Sequence, residues 1–394
     1  MKKLTLSFLL ISVLCSCVTA QKYEKKLAST HQSSFPEFSW DKVPVCLHFA
    51  KKTGDFTKQE AQFIACFPIV CIEKSQAVDK NKGMEQGSYD VAALIKSINP
   101  KSKVLFYWNS RIDYGQLYSF GNILGNNAHP EWAMKDAKGE FVTVQNGRRK
   151  TYDPTIPDFR KWWVNVPVEA VKKGKMDGVF VDAVLQYAGG ENVKVKQYGE
   201  QRYKDIMSGV FGMMDNLKKQ AGTDKLIIAN ALRGTNAAPD NGRIFYPYID
   251  GAMIEHFCDL SGKSKEVIAR DIELIQDAAE KGKIVIAKGW PRYNFTNEQI
   301  KKMSQKELEA MSREDIVFPL ATFLVGAGKY AYFCYSWGYD YNQGGMKDYP
   351  EYNKPLGEPL GLAKKEGCIY TREFKYASVF ADIENRIAKI TWKK

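Results

Sequence analysis

Eight short apolar runs, amphipathic stretches between several of them, and a chain of 394 residues predict an α/β protein folded as a (β/α)8, or TIM, barrel with a small C-terminal β element. The runs are rich in Val, Ile, Phe and Tyr and occupy residues 43–49, 67–72, 104–108, 178–182, 226–230, 251–255, 284–288 and 330–335. Each is too brief for a buried helix, so each reads as a strand. Residues 158–173, 198–220, 265–281 and 297–325 have helical spacing. In the first of these, Phe159, Trp162, Trp163 and Val166 recur at three- and four-residue steps behind a start signal at Asp153-Pro154. Such barrels take roughly 250 residues and exceed 300 when their loops are elaborate. The interval from Trp108 to Gly178, Gly-, Asn- and Tyr-rich over 114–127, reads as one such loop.

The flanks differ from this core. Residues 1–20 carry Lys2-Lys3, an apolar run from Leu4 to Leu14 and then small residues, the pattern of a bacterial secretory signal. Val18-Thr19-Ala20 before Gln21 suits ordinary cleavage, whereas Leu14-Cys15-Ser16 before Cys17 suits a lipoprotein lipidated at Cys17. Residues 21–40 read as a polar linker, 41–365 as the catalytic barrel, and 366–394 as terminal strands packed on it, with Ile369, Phe374, Val379, Phe380, Ile387 and Ile390 in short alternating runs. No other stretch approaches the ~18 apolar residues of a membrane span. The expected location is therefore secreted, or periplasmic and outer-membrane as a lipoprotein, with any membrane contact through the lipid.

The formal charge of +12 falls by two, to +10, without Lys2 and Lys3, which suggests a polyanionic partner. Export makes nucleic acid the wrong one and leaves an anionic polysaccharide. Beyond the signal, Cys46, Cys66, Cys71, Cys258, Cys334 and Cys368 form no CxxC pair and read as free thiols, with one bridge as the alternative. Only four histidines are present, His31, His48, His129 and His256, and neither a metal nor a cofactor is expected. Gly189-Gly190 and Gly344-Gly345 lack phosphate-loop spacing.

Catalytic groups of such barrels come from the C-terminal ends of the strands. In the fourth run, alternation sets Val179 and Val181 on one face and Phe180 and Asp182 on the other, so Asp182 faces the mouth. Glu255 holds the equivalent position in the sixth run. Two carboxylates at neighbouring tips are what glycosidic cleavage requires. Asp177, at the opposite end of the fourth run, should be structural. The other tips offer His48, Glu73, Tyr107, Trp108, Asn109, Tyr187, Asn230, His256, Trp290, Tyr335 and Trp337 as substrate contacts, the aromatic ones as platforms for sugar rings. His256 reads as an orienting neighbour of Glu255. Arg233, Lys288 and Arg292 suit an anionic substituent, or else ion pairs with Asp182 and Glu255 themselves.

At these residues the chain resembles the (β/α)8 glycoside hydrolases in which a DGVFxD strand follows a helix opened by an Asp-Pro segment. Here those are Tyr152-Asp153-Pro154 to Trp163, then Asp177 to Asp182; a closing segment from Arg372-Glu373-Phe374 to Ile390 extends the resemblance over 41–394. The resemblance implies that Asp182 is the nucleophile. It implies Glu255 as the partner, because families with the acid on the fifth strand carry a carboxylate where this chain has Asn230, and it implies retention. In size and in its Asp/Glu pair the chain is also similar to the endo-1,3-fucanases. The expectation is an exported glycosidase that cleaves internal bonds of an anionic, sulfated, fucan-like polysaccharide. A non-catalytic surface glycan-binding lipoprotein and a neutral-glycan hydrolase remain as alternatives.

Overall fold

The computed structural model describes residues 34–393 apart from 82, 122, 125–127, 236–237 and 259–263. The signal segment, Cys17 and His31 lie outside the described residues. In chain order the strands are β1 Leu47–Phe49, β2 Ile69–Ile72, β3 Lys103–Asn109, β4 Thr143–Val144, β5 Arg149–Lys150, β6 Gly178–Asp182, β7 Leu226–Leu232, β8 Gly251–Phe257, β9 Ile284–Gly289, β10 Ala331–Tyr335, β11 Lys364–Glu366, β12 Ile369–Glu373, β13 Ala377–Asp382 and β14 Ile387–Trp392. The α-helices are α1 Lys58–Ala65, α2 Met84–Ile98, α3 Pro157–Lys173, α4 Leu185–Ala188, α5 Glu191–Tyr198, α6 Glu200–Ala221, α7 Lys265–Glu280, α8 Gln305–Asp315 and α9 Val317–Gly326.

Eight parallel strands run in the order β1-β2-β3-β6-β7-β8-β9-β10. The sheet closes on itself: the Cys46 N–H donates to the Phe333 carbonyl at 2.9 Å and the Phe333 N–H to Pro44 at 2.8 Å. It is the expected (β/α)8 barrel. Alternation along each strand divides two cores. Leu105, Tyr107, Phe180, Ile228, Met253, Ile286, Tyr332 and Cys334 fill the interior. Phe106, Trp108, Val179 and Val181 point outward into the larger layer under the helices. Phe35, buried against Tyr330 just before β10, covers the N-terminal end of the barrel.

Helices start where the sequence supplies caps. Thr57 with Glu60 opens α1 and Ser304 with Glu307 opens α8, each as a reciprocal capping box. The stretch 297–325, expected as one helix, is split. Pro319 has no N–H to give the Asp315 carbonyl, and the chain breaks between α8 and α9 at that point. The segment between β3 and β6 holds the β4–β5 hairpin and α3, and α3 carries its Trp163 face into the core.

β11 to β14 form an antiparallel sheet beside the barrel. Val379, Ala381 and Ile383 share the core of α9, and the buried Arg372 donates to the carbonyls of Leu324 and Ala327 at the end of that helix. Among the described residues no disulfide forms; Cys46, Cys71, Cys258 and Cys334 are buried, Cys368 partly so, and Cys66 is exposed. Among the described residues no helix is long and apolar enough to cross a membrane.

Candidate active site

Asp182 ends β6 with its side chain turned to the interior, in register with Asn109 on β3. Its Oδ2 accepts from the Tyr107 hydroxyl at 2.5 Å and from Asn109 Nδ2 at 3.1 Å. Its Oδ1 accepts from Asn230 Nδ2 at 2.9 Å and from the Ala183 N–H at 2.7 Å. Ala183 itself adopts φ 68°, a left-handed conformation that costs a non-glycine residue energy and sits directly after the carboxylate. Every oxygen thus faces two donors.

Glu255 projects from β8. The Oε2 atom accepts from Asn230 Nδ2 at 2.8 Å and Arg233 Nη2 at 2.9 Å, and Oε1 accepts from the Tyr339 hydroxyl at 2.9 Å. His256 Nε2 stands 3.8 Å from Oε2. The strand ladders are irregular at these two places, between Ala229 and Leu232 on β7 and between Ile254 and Phe257 on β8. Such irregularities re-aim side chains, here those of Asn230 and Glu255. One amide nitrogen therefore joins the two carboxylates.

Burial and the Glu255 charge push the Asp182 carboxyl above its ordinary value, only partly offset by Lys74 and the donors. Burial would also raise Glu255, but the Arg233 guanidinium, His256, Asn230 and Tyr339 outweigh it and hold Glu255 at about 2. Any proton resident on the unliganded pair therefore sits on Asp182.

A second buried acid supports this pair from across the mouth. Glu73 accepts from His48 Nε2 at 2.7 Å and is ion-paired with Lys74. Burial acts to raise its pKa, yet Lys74 and His48 keep it at about 2. Lys74 stands over the Tyr107 ring at 4.7 Å, and the His48 ring packs 4.6 Å from that of Tyr339. The His48–Glu73–Lys74 cluster thereby braces the phenols that hold Asp182 and Glu255.

All of this opens into a cleft of about 800 Å³. His48, Glu73, Tyr107, Asp182, Asn230 and Glu255 line it as expected. Asn109 and Arg233 touch the carboxylates from behind, and His256 stands beside Glu255.

Seven expected contacts are placed otherwise. Trp108 points out of the barrel and donates from Nε1 to the Trp163 carbonyl at 3.0 Å, because it has the opposite strand parity to Tyr107 and Asn109. Tyr335 is likewise outward and donates to the Ser312 carbonyl. Tyr187 is buried in α4, its hydroxyl on the carbonyls of Ser110 and Tyr152. Trp337 packs in a satellite cluster with Leu308 and Met311. Trp290 is buried with its indole N–H on the Glu255 carbonyl, so it positions the strand tip and offers no face to a sugar. Lys288 does face inward but is sealed off, its ammonium on the carbonyls of Gly289 and Ser336 and 3.4 Å from the Trp290 ring centre. Arg292 is drawn outward into ion pairs with Asp315 and Glu314 on α8.

The cleft also contains residues the strand-tip reading missed, notably Lys74, Tyr114, Arg149, Phe295 and Tyr339. All sit in loops or the hairpin beyond the strands, Lys74 two residues past the end of β2. Lys74 had a signal, since it directly follows Glu73.

Two carboxylates joined by one amide at the C-terminal rim of an eight-stranded barrel are the equipment of a glycoside hydrolase. The chain belongs to hypothetical glycosyl hydrolase family 15, whose model matches residues 96–378. A search of curated proteins finds no match. Among solved structures the chain is similar to a noncanonic maltogenic alpha-amylase from Thermotoga neapolitana, at 10% identity over 90% of this chain and 94% of that one, TM-score 0.49. It is similar to an alpha-amylase from Geobacillus thermoleovorans at 8% identity, 87% of each chain and TM-score 0.47. A GH36 alpha-galactosidase from Geobacillus stearothermophilus gives 8% identity, 91% of this chain, 50% of that one and TM-score 0.47.

Proposed function

We propose that Asp182 and Glu255 are the catalytic pair of a retaining glycosidase, with Asp182 attacking the anomeric carbon and Glu255 protonating the leaving oxygen. The observation that carries this is the Asn230 bridge. Its bonds of 2.9 and 2.8 Å, laid end to end, bound the separation of the nearest carboxyl oxygens. So close an approach of the nearest oxygens favours the ~5–5.5 Å carboxyl separation of a retaining pair over the ~6.5–9.5 Å an inverting pair needs for its water. The division of roles follows from lone pairs. Four donors favour Asp182 as the anion, and one of them must give way to free the lone pair that attacks, whereas among the described residues Glu255 Oε1 accepts from Tyr339, whose hydroxyl can turn to accept when Oε1 carries a proton.

In the unliganded protein Glu255 is the stronger acid of the two, and the roles require substrate to reverse that order, which a positive anomeric carbon over Asp182 favours. The test is azide rescue of Asp182→Ala and Glu255→Ala on an activated glycoside. The Asp182 variant should yield a glycosyl azide of inverted anomeric configuration and the Glu255 variant one of retained configuration. Exchanged outcomes would reverse the roles, and unimpaired hydrolysis by either variant would remove that residue from the pair.

The substrate we favour is a polysaccharide cut within its chain, supported by a cleft with room for more than one sugar ring around the pair. Export, with a lipid on Cys17 or as a soluble protein, belongs to the same proposal and is supported by residues 1–20.

A further inference from the structure

We infer that Arg149 forms an oxyanion subsite of the cleft, receiving a carboxylate or sulfate group on a sugar bound beside the pair; this rests on the glycosidase reading above. The basic residues first expected in that role are spent: Arg233 on Glu255, Lys288 on backbone carbonyls, Arg292 on α8. Within the cleft Lys74 is paired with Glu73, and Lys52 with Asp340 at 3.0 Å. Among the described residues lining the cleft, Arg149 is the lysine or arginine that no carboxylate neutralises.

Its guanidinium is nonetheless held in place by neutral acceptors. Nη1 donates to the Asp113 carbonyl at 3.0 Å and to Gln116 Oε1 at 2.6 Å, and Nε donates to Gln145 Oε1 at 3.2 Å. The carbon of the fork lies 4.9 Å from the Tyr114 ring centre, and Gln145 Nε2 in turn donates to the Tyr114 hydroxyl at 2.9 Å. Nη2 has no hydrogen-bond partner among the described residues. The hairpin that carries Arg149 turns through Gln145 and Asn146 at φ 54° and 56°, a costly conformation for non-glycine residues, and the Gln145 side chain is one of the acceptors. A planar cation fixed by dipoles, with its charge intact and an aromatic face beside it, is built for a bidentate oxyanion on a ring that packs against Tyr114.

The test uses Asp182→Asn protein, to bind without turnover, in calorimetric titrations at fixed ionic strength. The probes are a sulfated fucan with its desulfated form, and a polygalacturonate with its carboxyl-reduced form. A preference of about 10- to 100-fold for the anionic member of at least one pair is expected, and the discriminating pair tells sulfate from carboxylate. Adding Arg149→Gln should abolish the preference; adding Arg149→Lys, which keeps the charge and loses the fork, should reduce it several-fold and decides the matter if the glutamine variant fails to fold. Equal affinity within both pairs, binding to none of the four, or a preference untouched by these substitutions overturns the subsite. Wild-type hydrolysis by Asp182→Asn and Glu255→Gln would instead sink the catalytic reading while leaving a charge preference in binding intact.

Discussion

Two strands of the barrel have an acid just before their first residue and another at or near their C-terminal end, and the two ends are treated in opposite ways. Asp177-Gly178 opens β6 and Asp182 closes it; Asp250-Gly251 opens β8 and Glu255 lies near its tip. At the opening end, Asp177 accepts from the neighbouring strand at the Val104 N–H, 2.8 Å, and pairs with Lys96 of α2 at 2.6 Å. Asp250 repeats the arrangement with the Ile227 N–H at 2.9 Å and Lys218 of α6 at 2.9 Å. The glycine after each lets strands approach closely: a Cβ at Gly178 would stand 2.0 Å from the Leu226 carbonyl oxygen, and one at Gly251 would stand 2.6 Å from Ile284 Cβ. Each opening acid has its own lysine. At the mouth, Asp182 and Glu255 share one amide, and Arg233 neutralises only Glu255. The barrel completes its electrostatics at one end for stability and leaves them incomplete at the other, where charge must move during a reaction.

The largest expected effect falls on the mouth. Asp182→Asn and Glu255→Gln should each lose at least ~100-fold in turnover while retaining the wild-type circular dichroism spectrum, since acid–base help alone contributes 10²–10⁴. Next comes the opening end: Asp250→Ala leaves Lys218 facing an emptied, buried site and should cost about 3 kcal/mol in denaturant unfolding, with kcat unchanged where the variant is still folded. A loss of kcat in the folded variant would erase the contrast between the ends. Asp177→Ala should cost less, because the Asp177–Lys96 pair is more exposed.

Tyr339→Phe removes one charge-assisted bond from Glu255 and should lower kcat by about tenfold, together with a displaced pH profile. An unchanged profile would make Tyr339 mere packing. The smallest effect is a stability difference with pH. Asp182 has a folded pKa above its ordinary 3.8, so its contribution is full below 3.8 and is lost as pH rises through the raised value. Relative to Asp182→Asn, wild type should therefore lose melting temperature as pH rises from 3 to 7. Glu255 is depressed to about 2 from 4.5, so its contribution is present above 4.5 and lost as pH falls toward 2; Glu255→Gln should melt lower than wild type at neutral pH. Thermal melts of both variants from pH 3 to 7 check the opposite signs.

Strand alternation is local, with period two, and it is written in the sequence. It was enough to place Asp182 with Phe180 on the inner face, and to set Asp182 and Glu255 at the mouth and Asp177 at the other end. The same parity, applied to Tyr107 and Asn109, excludes Trp108, and applied to Tyr332 and Cys334 it excludes Tyr335. Folding alone decided the rest. Lys288 has the right parity and is still withdrawn, because Trp290 and two carbonyls from separate segments close over it. Arg292 turns outward because α8 brings Asp315 alongside. Tyr339 and Arg149 enter the cleft on a loop and a hairpin, where backbone direction follows no period and only long-range contacts determine which way a side chain points.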